Sequence, residues 1–381
     1  MCEKCLVCKK RISSANCRNL QCKVCKKYCH SKCTRNLPPI CLEKAGKFRY
    51  RIVRNEKWKC DICTSNELPF SNVSNARIRE MRTIHKRKLP STDELNALFV
   101  SETAENDDDI EFKYSYKTQY MTSREIENLN FKDESELYED FPILSINVRS
   151  IVNRDHFMKF ESLLDSLPIK PMVIGLSETW VSESSKGSFL NLQGYKFVQN
   201  SRDKCVGGGV GFYVADHLHY SEIDSLTIMN EKLFESIFIN VDVDGKNIVC
   251  GSVYRKSQNA GHEIFINNIK NVLKQCEKMN KPTIIMGDLN YNLLNTDDIH
   301  VNSCVDNFFD FGFFPLINIP TRITDTTGTV LDHIWTNIVE NPIKSAVIAD
   351  LVADHLPVYM NLGMQKCLSN EKVMVEKRCF F

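Results

Sequence analysis

A chain of 381 residues with a net charge of +1, a quarter of its side chains charged, has room for two domains, one of them with a substantial core. It contains no run of about 18 or more apolar residues, and Met1-Cys2-Glu3-Lys4-Cys5 lacks the apolar segment of a leader. Neither a membrane-spanning helix nor a secretory signal is therefore expected. The neutral total hides an asymmetry: residues 1–90 hold 23 Lys/Arg against 6 Asp/Glu, residues 91–140 hold 4 against 15, and the rest 22 against 27. This predicts a basic head suited to polyanions, an acidic linker and a near-neutral body.

Eleven of the 17 cysteines fall within the first 63 residues. Clustered cysteines without a leader read as metal ligands rather than disulfides. Cys5-x2-Cys8, Cys22-x2-Cys25, His30-x2-Cys33 and Cys60-x2-Cys63 form four close pairs, enough for two tetrahedral zinc sites. Long spacers suit an interleaved arrangement, the first and third pairs sharing one ion and the second and fourth the other. The order resembles the PHD finger family, and Tyr28 and Trp58, each two residues before a ligand, stand where that family places aromatics. Lys23 and Leu20 suit a methyl-lysine reader poorly, so the expected partner of this head is nucleic acid, with RNA or chromatin as further possibilities. Its affinity should rest on charge and fall steeply with salt.

Residues 67–140 show little apolar periodicity and read as a linker, largely disordered. Arg77-Ile78-Arg79-Glu80-Met81-Arg82, running on to His85-Lys86-Arg87-Lys88, is a basic stretch fit for phosphate contact or as a nuclear address, and the implied setting is nuclear. Asp107-Asp108-Asp109 marks the acidic part, and 123–140 could form an acidic helix.

From Phe141 onward strand and helix signals alternate. Strands are expected at 143–147, 172–177, 195–199, 210–214, 233–243, 247–254, 283–288, 330–335, 346–351 and 358–362, and helices at 154–167, 262–279 and 304–311. Gly207-Gly208-Gly209 reads as a tight turn into a strand. The six later cysteines, at 205, 250, 276, 304, 367 and 379, are scattered, and those inside apolar runs read as core residues. Ten strands with a few helices fit an α/β, four-layer sandwich, two packed β-sheets flanked by helices, preceded by the small two-zinc finger. The expected organisation is a finger at 1–66, a linker at 67–140, a catalytic domain at 141–363 and a tail at 364–381.

Several apolar runs end in polar residues, the pattern of strand ends that carry chemistry. They deliver Asn147, then Glu178, then Asp288 with Asn290, and finally Asp354 beside His355. On an extended strand Asp288 and Asn290 would face one side, and His333, next to Asp332, would face away from it. Asn147 with Arg149-Ser150, Ser177-Glu178-Thr179-Trp180, Val253-Tyr254-Arg255, Gly287-Asp288-Leu289-Asn290, Pro320-Thr321-Arg322, Leu331-Asp332-His333-Ile334 and Asp354-His355 follow one another in the chain. In that order they resemble the exonuclease–endonuclease–phosphatase superfamily, above all the apurinic-type endonuclease domain of jockey-like non-LTR retrotransposons. A PHD-like finger upstream is also known from such elements.

The resemblance implies a metal-dependent DNA endonuclease that nicks phosphodiesters to prime reverse transcription. It implies Glu178 as the main ligand of Mg²⁺ or Mn²⁺, with Asn147 and Asp354 assisting, a hard ion with oxygen ligands. Asp288, steadied by Asn290, would orient or deprotonate water. His355, oriented by Asp332, would hold the phosphate or share the base role, and Tyr254 would donate to a phosphate oxygen. Arg322 would touch the DNA backbone. Arg149 stands where repair-type relatives carry an acid, which speaks against abasic-site repair. Two alternatives are a phosphoesterase of the same fold acting on another substrate, and a non-catalytic adaptor built on the finger.

Overall fold

The computed structural model describes residues 19–21, 28–30, 89–100, 118–182, 190–200, 207–230, 233–257, 261–324 and 326–366. The chain divides into two compact units, 1–74 and 75–381. In the first, β1 (Asn19–Gln21) and β2 (Tyr28–His30) pair antiparallel, Asn19 opposite His30. The expected zinc ligands Cys5, Cys8, Cys22, Cys25, Cys33, Cys60 and Cys63 lie outside the described residues, and His30 is described only as backbone of β2. The acidic stretch 101–117 and the tail from 367 onward also lie outside them.

The second unit begins with helix α1 (Thr92–Phe99) and strand β3 (Gln119–Met121). The expectation of a structureless linker up to residue 140 does not hold for 89–100 and 118–140. Ser91 and Glu94 form a reciprocal capping box on α1, and Leu95 is fully buried. Asn96 then pairs with the Tyr120 backbone in both directions, Nδ2 to the carbonyl at 2.8 Å and Tyr120 N–H to Oδ1 at 2.7 Å. One amide side chain so completes the hydrogen bonds of a sheet edge, which composition could not reveal. The acidic stretch 123–140 forms two short 3-10 turns rather than a long helix and then enters the first long strand.

In chain order there follow β4 (Tyr138–Asn147), α2 (Arg154–Ser166), β5 (Val173–Ser177), β6 (Tyr195–Asn200), β7 (Val210–Ala215), β8 (His219–Glu222), β9 (Ile228–Asn230) and β10 (Phe234–Val243). After these come β11 (Lys246–Arg255), α3 (His262–Met279), β12 (Thr283–Asp288), α4 (Ile299–Asp310), β13 (Phe314–Pro315), β14 (Arg322–Ile323), β15 (Gly328–Thr329), β16 (Asp332–Thr336), β17 (Ile343–Ile348) and β18 (Val358–Gln365). One seven-stranded sheet runs β3-β17-β18-β4-β5-β7-β6. The other runs β13-β16-β12-β11-β10-β8, with β9 also on β10. Both are mixed: β4 with β5 and β11 with β12 are parallel, and most other pairs are antiparallel.

Side-chain alternation sorts three apolar layers. Ile143 on β4, Val173 on β5, Phe212 on β7, and Ile284 and Met286 on β12 lie in the layer between the sheets. Their neighbours Leu144, Ile174 and Tyr213 turn outward onto Phe157, Phe160, Leu163 and Leu164 of α2. Ile285 and Trp335 turn outward onto Phe265, Ile269 and Leu273 of α3 and Phe308 of α4. Helix, sheet, sheet, helix is thus the observed layering. Each such buried aliphatic or aromatic side chain contributes about 1.5–3 kcal/mol. Cys250, Cys276 and Cys304 are buried free thiols within these layers.

Candidate active site

The inner-layer positions of β4 (143, 145, 147) and β12 (284, 286, 288) end in Asn147 and Asp288. These lie at the carboxyl ends of the parallel pairs β4/β5 and β11/β12. Asn147 joins the sheets: its Nδ2 donates to Glu178 Oε1 at 3.1 Å and to Asp288 Oδ2 at 2.9 Å. Its Oδ1 accepts the Arg149 N–H at 3.0 Å, which leaves one lone pair of that oxygen to the site.

Glu178 follows β5 with φ 55°, as does Trp180, whose Nε1 donates to Glu178 Oε2 at 3.2 Å. Backbone bonds clamp this left-handed loop: Ser150 N–H to the Glu178 carbonyl at 2.7 Å, Thr179 N–H to Gly209 at 3.2 Å, and Trp180 N–H to Gly208 at 2.8 Å. The Gly207–Gly209 turn therefore does more than lead into β7; it seats the Glu178 loop. A Cβ on Gly209, whose φ is +88°, would lie 2.3 Å from Thr179 Oγ1. The Gly209 N–H in turn donates to the buried Glu235 carboxylate.

Asp288 and Asp332 are paired in register on β12 and β16. Asp288 Oδ1 accepts the Asn290 N–H at 2.9 Å, and Asn290 Nδ2 reaches back to the Arg255 carbonyl at 2.7 Å. With φ 49°, Asn290 lies in a turn, not on an extended strand, and steadies Asp288 through its backbone. Asp332 Oδ2 accepts from Thr321 Oγ1 at 2.7 Å and from His355 Nδ1 at 2.8 Å. His333 faces the other way, its Nε2 donating to the Tyr291 carbonyl at 3.0 Å, as its place beside Asp332 predicts.

Burial is the main force on the Asp288 carboxyl, raising it to about 7; the Asp332 and Glu178 carboxylates push the same way, while His355 and the Asn290 N–H pull it down. For His355 burial opposes the charge, but Asp332, Asp288 and Asp354 outweigh it and raise the imidazole to about 9. Folding thus strengthens proton binding at His355 above its ordinary 6.5. Stability from this group is complete below that value and lost as pH rises through about 9. The unfolding temperature, followed from roughly pH 6 to 9.5 without added divalent metal, is expected to fall, and to fall less in His355→Gln. Parallel curves for the two proteins would contradict the assignment.

At the rim, Asp354 Oδ2 accepts from Arg322 Nη2 at 2.8 Å and lies 3.1 Å from Arg149 Nη1. Burial alone would raise this carboxyl; His355 and the two guanidiniums hold it below the usual range. These contacts differ from the expectation that Asp354 turns to a metal. Tyr254 is buried in the inner layer. Arg255, to which no role attaches in the sequence, is also buried; its Nη1 reaches the carbonyls of Asn290 at 3.3 Å and Leu289 at 3.5 Å. Its guanidinium lies 4.0 Å from the centre of the Tyr291 ring. It fastens the turn that follows Asp288, as Thr321 fastens Asp332.

The donor set suits a hard divalent cation. Asp288, Asp332 and His355 offer ligand atoms within 4.8 Å of one another, and Asp332 Oδ1 is buried without a hydrogen-bond partner. Glu178 adds a half-buried carboxylate held by neutral donors. Such oxygens match Mg²⁺ or Mn²⁺.

The sequence model of the Endonuclease/Exonuclease/phosphatase family matches residues 142–355. No curated protein matches the chain. Among solved structures, the endonuclease domain of TRAS1, a telomere-specific non-LTR retrotransposon, is 18% identical. The match covers 60% of this chain and 100% of that one, with a TM-score of 0.47. The AP endonuclease LMAP of Leishmania major is 14% identical over 60% of this chain and 90% of its own, TM-score 0.48. The human Nocturnin catalytic domain is 11% identical over 60% and 94%, TM-score 0.45.

Proposed function

Because the chain belongs to the endonuclease/exonuclease/phosphatase family, we propose that its inter-sheet cluster hydrolyses the phosphodiester backbone of DNA, as a Mg²⁺-dependent nicking endonuclease of the retrotransposon kind. The observation that carries the reading is one buried cluster in which Asn147 bridges Glu178 and Asp288 while Asp332 holds His355. Burial and neighbouring carboxylates raise Asp288, and at His355 burial is outweighed by the carboxylates, which raise it. At neutral pH this supplies a partly ionised base beside a protonated acid, the division of labour that acid–base catalysis needs.

Asp288, oriented by Asn147 and Asn290, takes the proton of an attacking water. His355, held by Asp332, meets the negative charge growing on the phosphate. Glu178, with the Asp288 and Asp332 carboxylates close by, would hold the divalent ion. When bound, that ion polarises the phosphate and stabilises the leaving oxygen. The products are a 3′-hydroxyl and a 5′-phosphate. The basic head, with 23 Lys/Arg in its first 90 residues, brings the body to nucleic acid in the nucleus.

The test is a supercoiled plasmid incubated with Mg²⁺ and wild type, Glu178→Ala or His355→Ala. Wild type is expected to give relaxed circles and each variant at least about a hundredfold fewer per unit time. No relaxed circles from the wild type, or equal nicking by all three, rejects the proposal. Faster turnover of a small phosphoester than of duplex DNA would favour another substrate.

A further inference from the structure

We infer that Arg149 takes the place of a second cation, so that the catalytic centre holds one divalent ion beside a fixed guanidinium. This rests on the phosphodiesterase reading of the site. Arg149 is not a loosely tethered surface arginine at its backbone. Its N–H donates to Asn147 Oδ1 at 3.0 Å, its carbonyl accepts from His156 Nδ1 at 2.7 Å, and its φ is 41°. The next N–H, of Ser150, donates to the Glu178 carbonyl at 2.7 Å. The Arg149 backbone is thus tied to the Asn147 side chain, and its neighbour Ser150 to the backbone of the Glu178 loop.

Its guanidinium lies 3.1 Å from Asp354 Oδ2, and Arg322 Nη2 lies 2.8 Å from the same oxygen. Glu178 and Asp288 differ in kind: the hydrogen bonds they accept come from neutral amides and an indole. They remain open to a cation, since no charged group donates these bonds. Asp354 does not. To bind a second ion it would give up two charge-assisted bonds and place a dication against guanidiniums that never lose their protons. Paired-metal hydrolases keep their ions about 3.5–4 Å apart and share carboxylates between them. Here Asp354, the carboxylate at the rim of the site, is already paired with two guanidiniums. A guanidinium also lends planar donors to a phosphate oxygen while leaving no water to be oriented.

The experiment counts Mn²⁺ bound to the full-length, zinc-loaded protein, by the spin-resonance signal of free Mn²⁺. Wild type is expected to take one ion per chain. Arg149→Asp, which sets a second carboxylate beside Asp354, is expected to take a second ion at least tenfold more tightly than any further uptake by wild type. Lys278→Asp, a new carboxylate at the far end of α3, should still take one. Two ions in the wild type with affinities within tenfold of each other overturn the inference, whether or not the variant folds. So does a folded Arg149→Asp that still takes one. No uptake by wild type would instead remove the metal-dependent reading itself, and this inference with it.

Discussion

An Asp288→Asn protein is expected to nick supercoiled plasmid about a thousandfold more slowly than wild type, the middle of the range for removing a general base. That corresponds to about 4 kcal/mol in the barrier. The substitution keeps the shape of the side chain, and one oxygen remains to accept the Asn290 N–H. The bond from Asn147 is lost, since two amide nitrogens then face each other. Against that loss stands the removal of a buried charge. The folded carboxyl at about 7 lies above its ordinary 3.8, so wild type loses stability as pH rises across that interval. The amide does not ionise, and above pH 7 the variant should melt no lower than wild type. A variant that keeps more than a tenth of the rate, or loses rate only because it unfolds, would remove Asp288 from the base role.

Gly287→Ala is expected to cost more than about 3 kcal/mol, and to leave little folded protein. Gly287 has φ +131°, and an added Cβ would stand 2.1 Å from the Val253 carbonyl oxygen on the neighbouring strand β11. Backbone cannot step aside as a flexible side chain would. Gly194→Ala is the matched comparison, with φ +84° and nothing within 4 Å of the added carbon. It bears the conformational cost alone, about 1 kcal/mol. Denaturant midpoints measure both; if the two variants unfold alike, the close approach of β12 to β11 is not what demands glycine.

Where the chain repeats a pattern over many residues, its reading and its structure coincide. The helix at 262–279 matches end to end, bounded by Gly261 and Asn280, both in left-handed conformation. The strand at 283–288 matches as well, because its apolar residues are buried on both faces. The helix expected at 304–311 runs from Ile299 to Asp310, since the Asp298 side chain caps it through the N–H groups of His300 and Val301. Short polar elements escaped notice: α1 and β3 depend on the Asn96–Tyr120 pair, 24 residues apart, which no local window contains. The same limit applies to the site. Asn147, Glu178, Asp288 and Asp332 stand at or beside strand ends, whereas His355, expected at the end of a strand, lies in the loop between β17 and β18 and reaches the others through Asp332. Asn290 departs from the strand period because its N–H closes a turn onto Asp288. The service of Arg255 is to carbonyls 34 and 35 residues away, and the partners of Asp354 lie in distant turns. Such pairings are properties of the folded topology.

The double donation by Asn147 makes the separation of the sheets a kinetic variable. Glu178 rides on one sheet and Asp288 on the other, and one amide spans them. Beneath it, Met286 fills the space that Gly175 leaves open, an added Cβ there lying 2.5 Å from its sulfur. The clearance between the layers therefore sets the gap between the two carboxylates, much as a shim sets the jaws of a tool. A bulkier residue at 175 would be felt first as slower turnover, while the helices outside remain seated. Warming that loosens the inner layer should quench activity at the temperature where the sheets part, with neither half retaining a residual activity of its own.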